Sequence, residues 1–412
     1  MSVPKLRFKK FDGEWAETSF QDLFIFKNGV NASKEQYGSG IKFINVLDII
    51  NNPNGITYDS IIGSVDITSK EIDKNLVKYG DVLFQRSSET REEVGQSNVY
   101  LGKEPVVFGG FVIRGSAQKE YDAIFMNGLL KTDSLRDQIT QLSGGSTRFN
   151  IGQDSLNKVT AYLPSKLEQT KIASFLSEVD EKISQLTKKH ALLSQYKQGM
   201  MQKLFSQQIR FKADDGSEFG EWEEIKLGDI ASKVGSGSTP RGGAEAYTED
   251  GIIFIRSQNV NNNQLLLDDV VYIPEQTHKK MSGSKVVAND ILLNITGASI
   301  GRSCVVPMNF TEANVNQHVC IIRTPNDNPR FIQSFLASKD GQNLIDSHQT
   351  GSGREGLNFQ SIRSFTLNRP CLEEQTQIAN FLSAIDQKIE KVAQQIEETK
   401  QWKKGLLQQM FV

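Results

Sequence analysis

Glu168-Gln169-Thr170-Lys171-Ile172-Ala173-Ser174-Phe175-Leu176-Ser177 returns as Glu374-Gln375-Thr376-Gln377-Ile378-Ala379-Asn380-Phe381-Leu382-Ser383. The shift is 374 minus 168, or 206 residues, half of the 412-residue chain. It holds without a gap through Asp180/Asp386, Lys182/Lys388, Ile183/Ile389, Gly199/Gly405 and Phe205/Phe411. Self-similarity over this length marks an internally duplicated protein.

Each copy carries a helical signature. Ile172, Leu176, Val179, Ile183, Leu186, Leu193, Met200 and Leu204 fall on an alternating four-three spacing, with His190 and Lys197 at the remaining seam positions. In the second copy the seam is Ile378, Leu382, Ile385, Ile389, Val392, Ile396, Leu406 and Met410, with Thr399 and Lys403 as polar members. A sustained period of 3.5 residues argues for coiled-coil packing. About 34 residues at ~1.5 Å rise make a rod of roughly 50 Å. Ser165 and Glu168 after Pro164 read as a capping box, whereas the second copy has Cys371 at that position. Two helices with one apolar seam each pack most simply on one another as an antiparallel pair. The alternative is that each packs on its own module or on another protein.

Outside the helices the repeat is looser. Arg7-Phe8-Lys9 matches Arg210-Phe211-Lys212, Gly13-Glu14-Trp15 matches Gly220-Glu221-Trp222, and Asp81-Val82-Leu83 parallels Asp290-Ile291-Leu292. The offsets vary, so the frame is shared while the loops differ. Short apolar runs alternate with Gly/Ser/Asn-rich turns: Phe43–Leu47, Val82–Phe84, Val106–Phe108 and Phe111–Ile113, then Ile252–Ile255, Ile291–Leu293 and Val319–Ile322. The expected class is α+β, with a twisted sheet in each of two modules. The expected division is 1–164 and 207–370 for the modules, and 165–206 and 371–412 for the helical regions.

Composition excludes several classes. With 38% hydrophobic and 23% charged residues the chain is globular rather than disordered. The basic residues Lys5, Arg7, Lys9 and Lys10 precede no apolar stretch, and no run approaches the roughly 20 residues of a bilayer span, so a cytoplasmic protein without a membrane role is expected. Cys304, Cys320 and Cys371 form no CxxC pair and the four histidines are scattered, so no structural metal is expected and free buried thiols are. There is no GxxxxGK[ST] phosphate loop, and neither an Asn/Asp-Pro-Pro-aromatic motif nor a glycine-rich cofactor loop of a base-amine methyltransferase. Asp180-Glu181-Lys182 reads as a solvated helix face rather than a nuclease site. No catalytic residue and no cofactor is assigned.

Loop residues able to hydrogen-bond bases or phosphates recur before each helix. In the first half they are Arg86, Ser87, Thr90 and Arg91, then Ser146, Thr147 and Arg148 after Gly144-Gly145. In the second they are Ser238, Thr239 and Arg241, Thr296 and Ser299, then Ser352 and Arg354 within Gly351-Ser352-Gly353-Arg354. The glycines can equally supply turn geometry alone. Arg86 and Arg91 can pair with Glu89, Glu92 and Glu93, and Asn316 and Gln317 can satisfy buried backbone. A net charge of -2 opposes a DNA-binding surface unless a basic face is balanced elsewhere or a partner supplies positive charge.

The chain resembles a type I restriction-modification specificity subunit over nearly its whole length. The resemblance is carried by Pro4-Lys5-Leu6-Arg7-Phe8 with Gly13-Glu14-Trp15, by Gly237-Ser238-Thr239-Pro240, and by Ile295-Thr296-Gly297-Ala298-Ser299-Ile300-Gly301 with Asn316-Gln317. The twice-present Glu-Gln-Thr-x-Ile-Ala helix start is its most specific part. The resemblance implies a non-catalytic DNA sequence-recognition subunit with two target recognition domains, each reading one half of a split site on double-stranded DNA. It also implies that the helices set the half-site distance and hold two modification methyltransferase subunits, joined by restriction subunits. The first half departs from the pattern, with Asn28-Gly29-Val30-Asn31 and Ser87-Ser88-Glu89-Thr90 in place of the second half's loops. The two halves are therefore expected to read different sequences. A non-catalytic coiled-coil scaffold with two ligand-binding modules fits the net charge and remains the competing reading.

Overall fold

The computed structural model describes residues 3–240, 242–349 and 356–412. The chain divides into two compact units, Met1–Lys188 with Ala393–Val412, and Lys189–Val392.

The first unit is built on four antiparallel strands, β1 (Phe24–Asn28), β2 (Val82–Gln85), β3 (Ser97–Val99) and β4 (Val112–Ala117), in the order β1-β4-β2-β3. The second unit repeats this as β5 (Lys233–Ser236), β6 (Ile291–Asn294), β7 (Ser303–Val305) and β8 (Val319–Arg323), in the order β5-β8-β6-β7. Burial on both faces explains why β2 and β6 each open with three apolar residues. Val82 and Phe84 face the core shared with the long helices, while Leu83 faces a second apolar cluster with Ile44 and Phe108. Ile291 and Leu293 likewise point to the helix side and Leu292 to the other.

That other side is covered by a smaller sheet. In the first unit Tyr37–Ile44 runs parallel to Val107–Phe108 and antiparallel to Ser64–Val65. In the second, Ile252–Ile255 runs parallel to Ala313–Val315 and antiparallel to Val271–Ile273. Each unit is closed by a two-stranded clip, Ala16–Ser19 on Thr160–Leu163 and Glu223–Lys226 on Thr366–Arg369. Two expected strand runs each include residues outside the strand. Leu47 lies in a helix, Val46–Asn51, because Asn45 caps it: its side chain accepts from Leu47 and Asp48 N–H while Asp48 reaches back to the Asn45 N–H. Phe111 precedes β4, on an exposed turn.

The long helices are α1 (Lys166–Phe205, 40 residues) and α2 (Leu372–Met410, 39 residues). Within the first unit, Ile172 and Leu176 of α1 share a core with Leu406 and Met410 of α2, and Asp180 meets Lys403. Within the second, Met201 and Leu204 share a core with Ile378 and Leu382, and Lys197 meets Asp386. In each unit the paired numbers rise on one helix as they fall on the other, so the pairing is antiparallel. Of the expected seam, Ile172, Leu176, Val179, Leu186, Ile378, Leu382, Ile385, Val392 and Ile396 are buried, and Ile183, Leu193 and Ile389 are half-buried. Asp180 does not lie on a solvated face: it is the partner of Lys403. Among the described residues no helix is long and apolar enough to cross a membrane.

The repeated Glu-Gln-Thr motif is a clasp. Glu168 is buried and accepts from Arg7 Nε and Nη2, both at 2.7 Å, so its side chain does not close a capping box with Ser165. Glu374 accepts from Arg210 Nε and Nη2 and from Trp222 Nε1. Gln169 donates to Pro164 O and accepts from the Asp122 N–H, and Gln375 does the same with Pro370 O and the Asn328 N–H. Each motif thereby fixes the entering segment, the clip strand and a helix start to one long helix. Cys304 and Cys320 are buried, and burial pushes both thiols up to about 12, whereas Cys371 is exposed against expectation.

Candidate nucleic-acid interface

Loops far apart in sequence converge just beyond the end of an interior strand of each main sheet, β2 in the first unit and β6 in the second. In the first unit Ser87-Ser88 pairs antiparallel with Phe149-Asn150, and the Ile151 N–H donates to Arg86 O at 3.0 Å. Arg86, Ser87, Thr90 and Arg91 thereby come beside Ser146, Thr147 and Arg148. All are exposed except Ser87, which is half-buried and donates to Asn150 Oδ1 at 2.5 Å. The acidic neighbours do not neutralise the arginines. Arg86 donates to Gly110 O at 3.4 Å, Arg91 lies over the Phe149 ring, and Glu93 accepts from Ser88. Among the described residues neither arginine forms an ion pair with Glu89, Glu92 or Glu93.

The second unit repeats the junction. Thr296 bridges Gly356, and the Leu357 N–H donates to Ile295 O at 2.9 Å. A polar chain then ties three loops together. Exposed Thr239 donates to Gln317 Oε1, Gln317 Nε2 lies 3.0 Å from His318 Nε2, and His318 Nδ1 lies 2.6 Å from Thr296 Oγ1. An open cleft of about 720 Å³ lies here, lined by Gln258, Thr296, Ser299, Arg302 and His318. Ser238 is exposed outside this chain of bonds. Asn316 is buried and accepts from the His318 N–H, so it serves backbone, whereas Gln317 is exposed. Arg241, Ser352 and Arg354 lie outside the described residues.

Close backbone approach sets the loop starts. A Cβ on Gly237 would stand 1.7 Å from Val315 O, and one on Gly29 would stand 2.3 Å from Gly109 O, so both loops need glycine for packing reasons. The sequence did not single out Gln258 or Asn150, and it gave Leu47 and Phe111 only as members of expected strands. The only signal for them was position in the repeat, and the wandering offsets hid it. Among the described residues no group of three or more His, Cys, Asp or Glu side chains is placed to hold a metal ion.

One α+β module occurs twice, each copy clasped to a long helix and each gathering the same loops beyond the end of the same interior strand; this is a duplicated recognition architecture. A family model for the type I restriction modification DNA specificity domain matches the chain over residues 12–194 and again over 220–401, and the chain belongs to that family. It is 25% identical over 351 residues to the type I restriction enzyme MjaVIII specificity subunit of Methanocaldococcus jannaschii, covering 82% of this chain and 79% of that protein. It is 22% identical over 383 residues to the StySPI specificity subunit of Salmonella potsdam, covering 88% and 80%. The fold matches the crystal structure of a type I restriction-modification S subunit from M. genitalium with a TM-score of 0.56 at 17% identity, over 100% of this chain and 99% of that one.

Proposed function

We propose that the chain is the non-catalytic sequence-reading subunit of a type I restriction-modification complex, binding double-stranded DNA at a bipartite target with one module per half-site. Residues 1–164 and 207–370 are the recognition domains, and 165–206 and 371–412 the helical spacers. The observation that carries this reading is the repeated junction: the same backbone hydrogen bonds bring Arg86-Ser87 to Asn150-Ile151 and Ile295-Thr296 to Gly356-Leu357, while the side chains on them differ. A shared frame with different exposed loops is what two readers of two sequences require. The helices hold two methyltransferase subunits, restriction subunits join that assembly, and the complex works in the cytoplasm.

Mapping methylated bases in cells that carry this chain and its methyltransferase tests the reading. The expected motif is split, with an unread spacer placing the half-sites about one helical turn apart. A single contiguous motif would sink the two-reader mechanism. The net charge of -2 favours a scaffold without DNA. Affinity separates the two, because DNA binding by the assembled complex weakens steeply with salt and a scaffold shows none.

A further inference from the structure

Framework hydrogen bonds align the two modules residue by residue. The Asn45 N–H donates to Asp48 Oδ2 at 2.8 Å as the Arg256 N–H donates to Asn259 Oδ1 at 2.9 Å. The Gly109 N–H donates to Ile44 O as the Asn316 N–H donates to Ile255 O. The Arg86 N–H donates to Phe111 O as the Ile295 N–H donates to His318 O. Leu47 therefore occupies the position of Gln258, and Phe111 that of His318.

In the second module both residues are polar and line the cleft with Thr296. In the first, Leu47 is 64% exposed and Phe111 67% exposed. Phe111 sits on a tight turn closed by the Val112 N–H on Gly109 O at 2.9 Å, and its own carbonyl is tied to Arg86. The frame is thus rigid, and the apolar side chains stand out from it. Both positions change from hydrogen-bonding to apolar together, beside exposed Arg86, whose charge suits a phosphate-lined partner rather than an apolar protein. The apolar feature that a base edge offers in the major groove is the thymine 5-methyl group.

We infer that Leu47 and Phe111 form an apolar reading surface that packs on thymine methyl groups of the first module's half-site, where the second module presents the polar Gln258 and His318. The inference rests on the DNA-reading role proposed above. The test uses the full chain assembled with its methyltransferase subunits on its mapped target, with each thymine replaced in turn by deoxyuridine, which lacks only the methyl. At least one replacement in one half-site is expected to weaken binding about fourfold, the effect of one buried methyl. Phe111→Ala or Leu47→Ala is expected to make that replacement neutral, with the salt dependence of binding retained. Phe111→His, which keeps a ring on the turn, guards against a folding artefact and should behave like Phe111→Ala. Indifference to deoxyuridine at every thymine overturns the inference while leaving the DNA-reading role standing. So do variants that weaken methyltransferase assembly and not DNA affinity, which assign the patch to a protein partner. A wild-type complex without salt-dependent DNA binding overturns the role itself, and this inference with it.

Discussion

Glu374 is fully buried, and its two carboxylate oxygens take three donors, two from Arg210 and one from Trp222. Removing the cation leaves a buried charge with only the indole on it. Arg210→Ala is expected to lower the stability of the second unit by about 3 kcal/mol, read as a shift in the urea unfolding midpoint. Glu374→Gln, which keeps the shape and part of the hydrogen bonding, is expected to cost less, about 1–2 kcal/mol. Equal midpoints for wild type and Arg210→Ala would show that the clasp is dispensable. The repetition of Glu-Gln-Thr was plain from the sequence, but its work was not. The partners Arg7 and Arg210 lie 161 and 164 residues away, and no local pattern encodes a contact at that separation. Only half of the expected capping box forms: Ser165 Oγ accepts from the Glu168 N–H at 3.4 Å, while the Glu168 carboxylate goes to the distant Arg7 guanidinium.

At the scale of elements, the apolar spacing alone located both helices and their buried stripe, because a 3.5-residue period is a property of neighbouring residues. The seam lysines were legible only as interruptions. Lys403 meets Asp180 in the first unit and Lys197 meets Asp386 in the second, so each interruption carries its own counter-charge. Asp180→Lys is expected to destabilise the first unit, since it sets two lysines against each other. Adding Lys403→Asp should recover most of the loss, and a double variant no better than the single would refute the pairing. Leu382→Ala, at a buried position, is expected to cost about 2–5 kcal/mol.

Beside the same pair, burial pushes the Lys131 amine down to about 7, with Lys403 acting in the same direction and Asp180 opposing. The unfolded chain keeps that proton to near pH 10, so between these values it binds more protons than the folded chain and stability rises with pH. Below pH 7 both forms are protonated and this dependence vanishes. Between pH 7 and pH 8, below the range where the unfolded thiols titrate, the unfolding midpoint should therefore rise more steeply with pH for wild type than for Lys131→Met.

At the scale of the whole molecule, duplication gives two units with one strand order and one loop junction. With a net charge of -2, the proposed DNA contact rests on local clusters, and the exposed Arg86, Arg91 and Arg148 are the candidate one in the first unit. Replacing all three by alanine is expected to reduce the slope of log affinity against log salt by about 0.9 for each phosphate that is no longer neutralised. The bases preferred by the second module should stay unchanged. An unaltered slope would remove these arginines from the interface.

The sequence by itself determined the duplication, the α+β class and the helical seams, because repetition and periodicity reside in near neighbours along the chain. Only the tertiary structure decided which loops meet, that Asp180 faces Lys403, and that Leu47 and Phe111 stand where Gln258 and His318 stand in the other module. Those facts depend on sheet order and on hydrogen bonds between segments tens to hundreds of residues apart. Loop lengths differ between the halves, so the correspondence cannot be counted along the chain and is set by the backbone frame.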